Sequence, residues 1–203
     1  MAENPSSPNL RGRVRDAMRD EVARVAVSLF AEHTFEGVTT VEIAKAAGIS
    51  PRSFFRYFEN KEDVLLVGLT EAGERVAHAL RERPETEPAW EALRCSFRIL
   101  VEDPVYPVGE ISKVAEIILN TPSVQAREFS KQRQWEALLV PEVVRRLPPA
   151  LPTSSASPEG IARAVVGAAM ACLRVATEGW LRSGGSADML MLLDELMTSV
   201  RPA

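Results

Sequence analysis

Residues Thr39 to Phe58 read TTVEIAKAAGISPRSFFRYF, and almost every boundary in this run carries its own chemical signal. Thr39 can accept from the Glu42 backbone N–H while the Glu42 carboxylate reaches back to Thr39, which is a capping box, and Val38 and Ile43 stand where a hydrophobic staple clamps the helix entry. Gly48 follows the last helical residue at the position that favours a left-handed backbone. Ser50 is the next N-cap and Pro51 takes the first helical position, where its missing N–H costs nothing; Ile49 and Phe54 form a second staple. The pattern specifies two short helices joined by a three- or four-residue turn, a helix-turn-helix.

Helical spacing divides the second of these helices into an inward set, Phe54, Tyr57 and Phe58, and an outward row, Pro51, Arg52, Phe55 and Arg56. In a helix-turn-helix that binds DNA, the second helix enters the major groove, and an arginine near its start can bond guanine O6 and N7 together. Arg52 holds that place. Two arginines on an isolated exposed helix would read as a solvated face; the two capping motifs set this pair apart.

The segments Phe35-Glu36-Gly37-Val38-Thr39-Thr40, Ile43-Ala44, Ala47-Gly48-Ile49-Ser50 and Phe54-Phe55-Arg56-Tyr57-Phe58-Glu59-Asn60-Lys61-Glu62-Asp63 together resemble the N-terminal domain of TetR-family transcriptional regulators. The resemblance implies an all-α protein. Its three-helix DNA-binding head contains the helix-turn-helix, and a helical-bundle body binds ligand and dimerises. Residues 1–10 then form a disordered tail, 11–60 the DNA-binding domain and 61–203 the ligand-binding and dimerisation domain. Matched position by position, Thr40, Lys45, Ser50, Pro51, Arg52, Ser53, Phe55, Arg56, Tyr57 and Lys61 fall where the family contacts DNA. The family usually has Tyr where this chain has Phe55, so the hydroxyl of a phosphate contact is lost there. The implied function is a ligand-responsive homodimeric regulator, by the family's usual mode a repressor released from a double-stranded operator by a hydrophobic small molecule.

Charge agrees with local rather than general attraction to nucleic acid. The 203 residues carry a formal charge of −4. The positive groups expected on the DNA side are Arg11, Arg13, Arg15, Arg52, Arg56 and Lys61, which would make binding sensitive to salt. The three arginines at 11, 13 and 15 read equally as an arm along the DNA backbone or as a solvated tail. Cys95 and Cys172 offer neither metal-ligand spacing nor a disulfide framework. No metal or cofactor is expected. No pattern of a signal peptide or of a membrane span is read in the chain, so a cytoplasmic location is expected.

Periodicity predicts nine helices. The first, from about Arg13 to His33, buries Val14, Met18, Val22, Val25, Ala26 and Leu29. The fourth, capped by Asn60 with Lys61 in its first turn beside a phosphate, runs to about Arg83. Others follow near 88–102, 108–120 and 122–147, with breaks at Pro104 and Pro107 and a kink or split at Pro141. Leu147 to Pro158 reads as a loop. The last two helices present Ala162, Val165, Val166, Ala169, Met170 and Leu173 on one and Leu192, Leu193 and Leu196 on the other. This stripe is read as a dimer seam, with intramolecular core as the alternative that periodicity cannot exclude. Phe97, Leu100, Val101, Val114, Ile117, Ile118, Phe129, Trp135 and Leu138 are the candidate lining of an apolar ligand pocket, while Arg127 and Arg133 read as solvated. An enzyme finds little support: the two histidines, His33 and His78, have no nucleophile-base context, and Asp194-Glu195 reads as a solvated face. A ligand-binding or adaptor protein of the same fold with little DNA affinity is the other alternative.

Overall fold

The computed structural model describes residues 10–102, 108–148 and 155–200, apart from the side chains of residues 10, 11, 13, 16 and 108–112. The expected tail up to residue 9, the side chains of Arg11 and Arg13, the breaks at Pro104 and Pro107, and residues 149–154 of the expected loop lie outside the described residues. Every regular element among the described residues is helical. The chain divides into two compact units, Met1–Val67 and Gly68–Ala203.

In the first unit α1 (Leu10–His33) packs against α2 (Thr40–Ala46) and α4 (Glu62–Leu65), and α2 packs against α3 (Pro51–Tyr57). The buried side of α1 is Val22, Ala23, Ala26, Val27 and Phe30. This corrects the expected stripe: Val14 is 59% exposed, and Met18, Val25 and Leu29 are only half-buried. The short helices α2 and α4 cover part of α1, so their placement, not the apolar pattern alone, decides what is enclosed.

The helix expected to run unbroken from Asn60 to Arg83 is two helices, α4 and α5 (Val67–Arg81). Leu66 leaves helical geometry at φ −99° and ψ 4°, with its N–H bonded to the Asp63 carbonyl three residues back. Val64, Leu65, Leu66 and Val67 are all buried. Four consecutive side chains cannot share one face of a straight helix, and the break lets each find an enclosed position.

The second unit continues with α6 (Ala89–Phe97), α7 (Ile99–Glu102), α8 (Val108–Asn120), α9 (Pro122–Val144), α10 (Pro158–Arg182) and α11 (Met189–Ser199). The helix expected over 88–102 breaks at Arg98, which makes eleven helical segments among the described residues where nine were expected. α9 is not split at Pro141 and continues to Val144. The carbonyl deprived of a partner belongs to Ala137, and Ala137 and Pro141 are both exposed, so water can satisfy it.

α10 is central to this unit, packing against α6, α8, α9 and α11. Ser157 caps its start by accepting from the Gly160 N–H at 3.0 Å, and Asp188 caps α11 by accepting from the Met191 N–H at 3.0 Å. The core joins Phe97, Trp135, Leu139, Val166, Ala169, Leu193 and Met197, among others. Trp90 donates its indole N–H to the Met197 carbonyl at 2.8 Å, and Arg94 and Arg98 both reach Asp194, at 2.8 and 3.2 Å. Asp194 is therefore an anchor between α6 and α11, not the solvated group its sequence context suggests. α10 is also long and apolar enough, by length and composition, to cross a membrane, contrary to expectation; its Ala162, Val166, Ala169 and Ala176 are instead wholly enclosed by the other helices.

Candidate nucleic-acid interface

The two helices of the motif are fixed by contacts that span five residues or fewer. The Glu42 N–H donates to Thr39 Oγ1 at 3.2 Å, and the Thr39 N–H and hydroxyl donate back to the Glu42 carboxylate at 2.8 and 2.7 Å. These bonds hold the Glu42 carboxyl below its ordinary pKa, the backbone bond contributing most. At the far end of α2 the Gly48 N–H bonds the Lys45 carbonyl and the Ile49 N–H bonds the Ala44 carbonyl, the paired closure of a Schellman turn. Gly48 sits at φ +68°, where a side chain would be strained. Ser50 then accepts from the Ser53 N–H at 3.1 Å, with Pro51 at the first position of α3.

Phe54 and Phe58 anchor α3 from within, fully or nearly fully buried with ring centroids 5.3 Å apart. Pro51, Arg52, Phe55 and Arg56 are exposed, as the spacing requires. Tyr57 departs from its expected inward position. It is half-buried, and the Arg56 guanidinium lies 5.1 Å above its ring while donating to its hydroxyl at 3.1 Å. Among the described residues the Arg52 guanidinium has no hydrogen-bond or ion-pair partner. Thr40 and Ser53 are half-buried; Lys45 and Ser50 are exposed.

Lys61 has a different environment from the one expected. Its ammonium donates to the carbonyls of Phe35 at 2.7 Å and Val38 at 2.9 Å and lies 4.2 Å from the Phe35 ring centroid. Two of its three donors are thus committed within the chain. The Asn60 side chain accepts from the Asp63 N–H at 2.9 Å, although the helix starts one residue later than expected and its N-cap is Lys61. Val41, 56% exposed on α2, was not anticipated; its place one residue after Thr40 was the available signal.

In the second unit the candidate pocket residues differ in exposure. Phe97 is fully buried and Trp135 is 6% exposed, both within the core, and Val114 and Ile118 are buried as well. Leu100, Val101 and Ile117 are half-buried. Leu138 and Phe129 are exposed, at 38% and 65%. Phe129 borders an open cleft of about 930 Å³ between α8, α9 and α10, together with Glu128, Gln132, Arg174, Glu178 and Arg182. Burial raises the Glu128 carboxyl pKa, with the nearby Arg174 charge partly opposing it. Glu178 bonds Arg174 at 3.3 Å and Arg182 at 3.0 Å. The one sequence signal of these polar walls is the i, i+4 ladder of Arg174, Glu178 and Arg182.

Four residues of the expected dimer stripe need correcting. Ala162, Val166, Ala169 and Leu193 have no exposed surface at all within one chain, so no second chain can touch them. Val165, Met170, Leu173, Leu192 and Leu196 are half-buried against the same core. The opposite side of α10 is open and also apolar: Ala164, Ala171 and Val175 are exposed, and a Cβ added to Gly167 would meet nothing within 4 Å.

The profile described as "Bacterial regulatory proteins, tetR family" matches residues 23–67, and that described as "MftR C-terminal domain" matches residues 87–203. The HTH-type transcriptional regulator TcmR of Streptomyces glaucescens is 30% identical over 153 residues, 70% of this chain and 66% of that protein. MftR of Mycobacterium tuberculosis, named as a mycofactocin biosynthesis transcriptional regulator, is 28% identical over 171 residues, 84% of this chain and 83% of that one. Among solved structures, Thermus thermophilus FadR, a repressor in complex with lauroyl-CoA, is 25% identical with a TM-score of 0.56, covering 91% of this chain and 97% of that one.

Proposed function

Because the chain belongs to the TetR family of bacterial regulatory proteins, we propose that it acts as a cytoplasmic homodimeric repressor released from its operator by a hydrophobic small molecule. That it is a transcriptional regulator and not an enzyme follows from its relatives. The observation carrying the DNA reading is the exposed row Arg52, Phe55 and Arg56 on a helix that Ser50, Pro51 and the Gly48 turn hold in place. Arg52 reads a guanine, Arg56 and Lys45 meet phosphates, and Thr40, Ser50, Pro51, Ser53 and Tyr57 fix the register. Lys61 acts chiefly by holding the loop before α2, with one donor left for a phosphate.

For the partner copy, the open face of Ala164, Gly167, Ala171 and Val175 on α10, with Met191 on α11, is the seam we favour over the enclosed Ala162, Val166, Ala169 and Leu193. Close approach of two helices needs small residues on the touching face. The effector is a hydrophobic small molecule, a class supported by the acyl chain of the lauroyl-CoA held by the FadR structure. It lowers affinity by binding better to a dimer whose recognition helices no longer match grooves about 34–36 Å apart. A tenfold preference supplies about 1.4 kcal/mol of coupling.

Operator duplexes are selected from a random pool and titrated with wild type and Arg52→Ala at several salt concentrations. Arg52→Ala should lose about 1–3 kcal/mol of base discrimination. Equal discrimination by the two proteins removes the base-reading role, and no preference for any duplex favours the adaptor reading. Lauroyl-CoA is then added to the complex, with coenzyme A and laurate as separate controls; an unchanged affinity at saturation rules out that effector.

A further inference from the structure

We propose that Phe55 is a specificity-determining residue that reads a pyrimidine 5-methyl group on the floor of the major groove. The inference rests on the DNA-binding reading of α3 and deepens it. Phe55 is 57% exposed, although its neighbour Phe54 is fully buried, and the two rings meet edge to face with centroids 5.4 Å apart. The Phe54 contact favours one direction for the outer ring. Phe55 stands three residues after Arg52 and one before Arg56, both exposed. An exposed aromatic ring on a helix face that also carries two exposed arginines suits a negatively charged groove better than an apolar protein surface, where each arginine would lose its water.

The chemistry of the ring limits what it can read in that groove. Phenylalanine has no hydrogen-bonding group, so against a phosphate it would only displace water from the oxygens. Base edges in the major groove present donors and acceptors at every position and a single apolar group, the C5-methyl of thymine. 5-Methylcytosine carries the same group. The site where a tyrosine hydroxyl would have held the backbone therefore becomes one that adds sequence information. Three helical residues rise about 4.5 Å and one base step rises about 3.4 Å. The methyl accordingly belongs within about two base pairs of the guanine met by Arg52.

The test alters the DNA, so protein folding is not in question. Each thymine of the selected operator is replaced singly by deoxyuridine, which removes the methyl and nothing else, and each cytosine singly by 5-methylcytosine. Binding of wild type and Phe55→Ala is measured by fluorescence anisotropy. One methyl position per half-site should matter, weakening wild type about fourfold on removal, the change expected for one buried methyl, with no effect on Phe55→Ala. Sensitivity at a thymine names that base; strengthening at a cytosine upon methylation names 5-methylcytosine. Sequence-specific binding that ignores every methyl change, or methyl sensitivity that survives in Phe55→Ala, overturns the assignment to Phe55 while leaving the DNA reading intact. Failure to bind any duplex overturns both.

Discussion

Trp135 lies over Gly73 so closely that a Cβ on the glycine would come within 2.5 Å of the indole nitrogen, 2.7 Å of Cδ1 and 2.8 Å of Cε2. The same nitrogen donates to the Leu69 carbonyl at 2.8 Å. The indole is thus seated against the backbone of α5, and the candidate ligand residue Trp135 serves as a joint between α5 and α9.

Gly73→Ala sets two effects against each other. Alanine favours the helix by about 1 kcal/mol over glycine, but three contacts below 3 Å involve a rigid ring with its own hydrogen bond. Overpacking costs about 1–3 kcal/mol, and here it should win. Urea denaturation followed by circular dichroism should show a lower midpoint; a midpoint above wild type would mean that the indole moves freely.

Lys61→Ala should lower the stability of the first unit by about 1–3 kcal/mol, since the Phe35 and Val38 carbonyls lose a charged donor. The salt dependence of DNA binding separates this from a phosphate contact. A slope equal to that of wild type fits the internal role, while a slope smaller by about one unit assigns the ammonium to DNA.

Two glutamates placed two residues apart on α10 should behave differently. Ala169→Glu puts a carboxylate into a fully enclosed site and should cost about 3–5 kcal/mol, read as loss of the folded circular dichroism signal. Ala171→Glu, on the exposed face, should keep that signal and sediment as a monomer. If Ala171→Glu sediments as wild type does, the seam lies elsewhere.

Two carboxylates predict opposite dependence on pH. Hydrogen bonds from Thr39 lower the Glu42 pKa, so its contribution is fully present above the ordinary carboxylate range and is lost as pH falls through the lowered folded value. Burial raises the Glu128 pKa, so its penalty is absent at low pH and develops as pH rises through the ordinary value toward the raised one. At pH 7 Glu42→Ala should therefore lose stability and Glu128→Gln should gain it. In denaturant titrations near about pH 3 both differences should shrink; a Glu128→Gln gain that persists there would have a cause other than the buried charge.

The sequence by itself determined the elements whose partners lie within a few residues. Thr39 with Glu42, Gly48 and Ile49 with the end of α2, and Ser50 with Ser53 all close over five residues or fewer, so little chain entropy stands against them and residue chemistry decides the outcome. The outward place of Arg52 and Phe55 follows from the same local geometry. Only the tertiary structure decided where Lys61 points, because its carbonyl partners stand 26 and 23 residues away. It also decided which side of α10 is core. Ala162, Val166 and Ala169 lie on one side and Ala164, Gly167 and Ala171 on the other; both are small and apolar, so periodicity is the same for either, and the packing of α6, α8, α9 and α11 makes the choice.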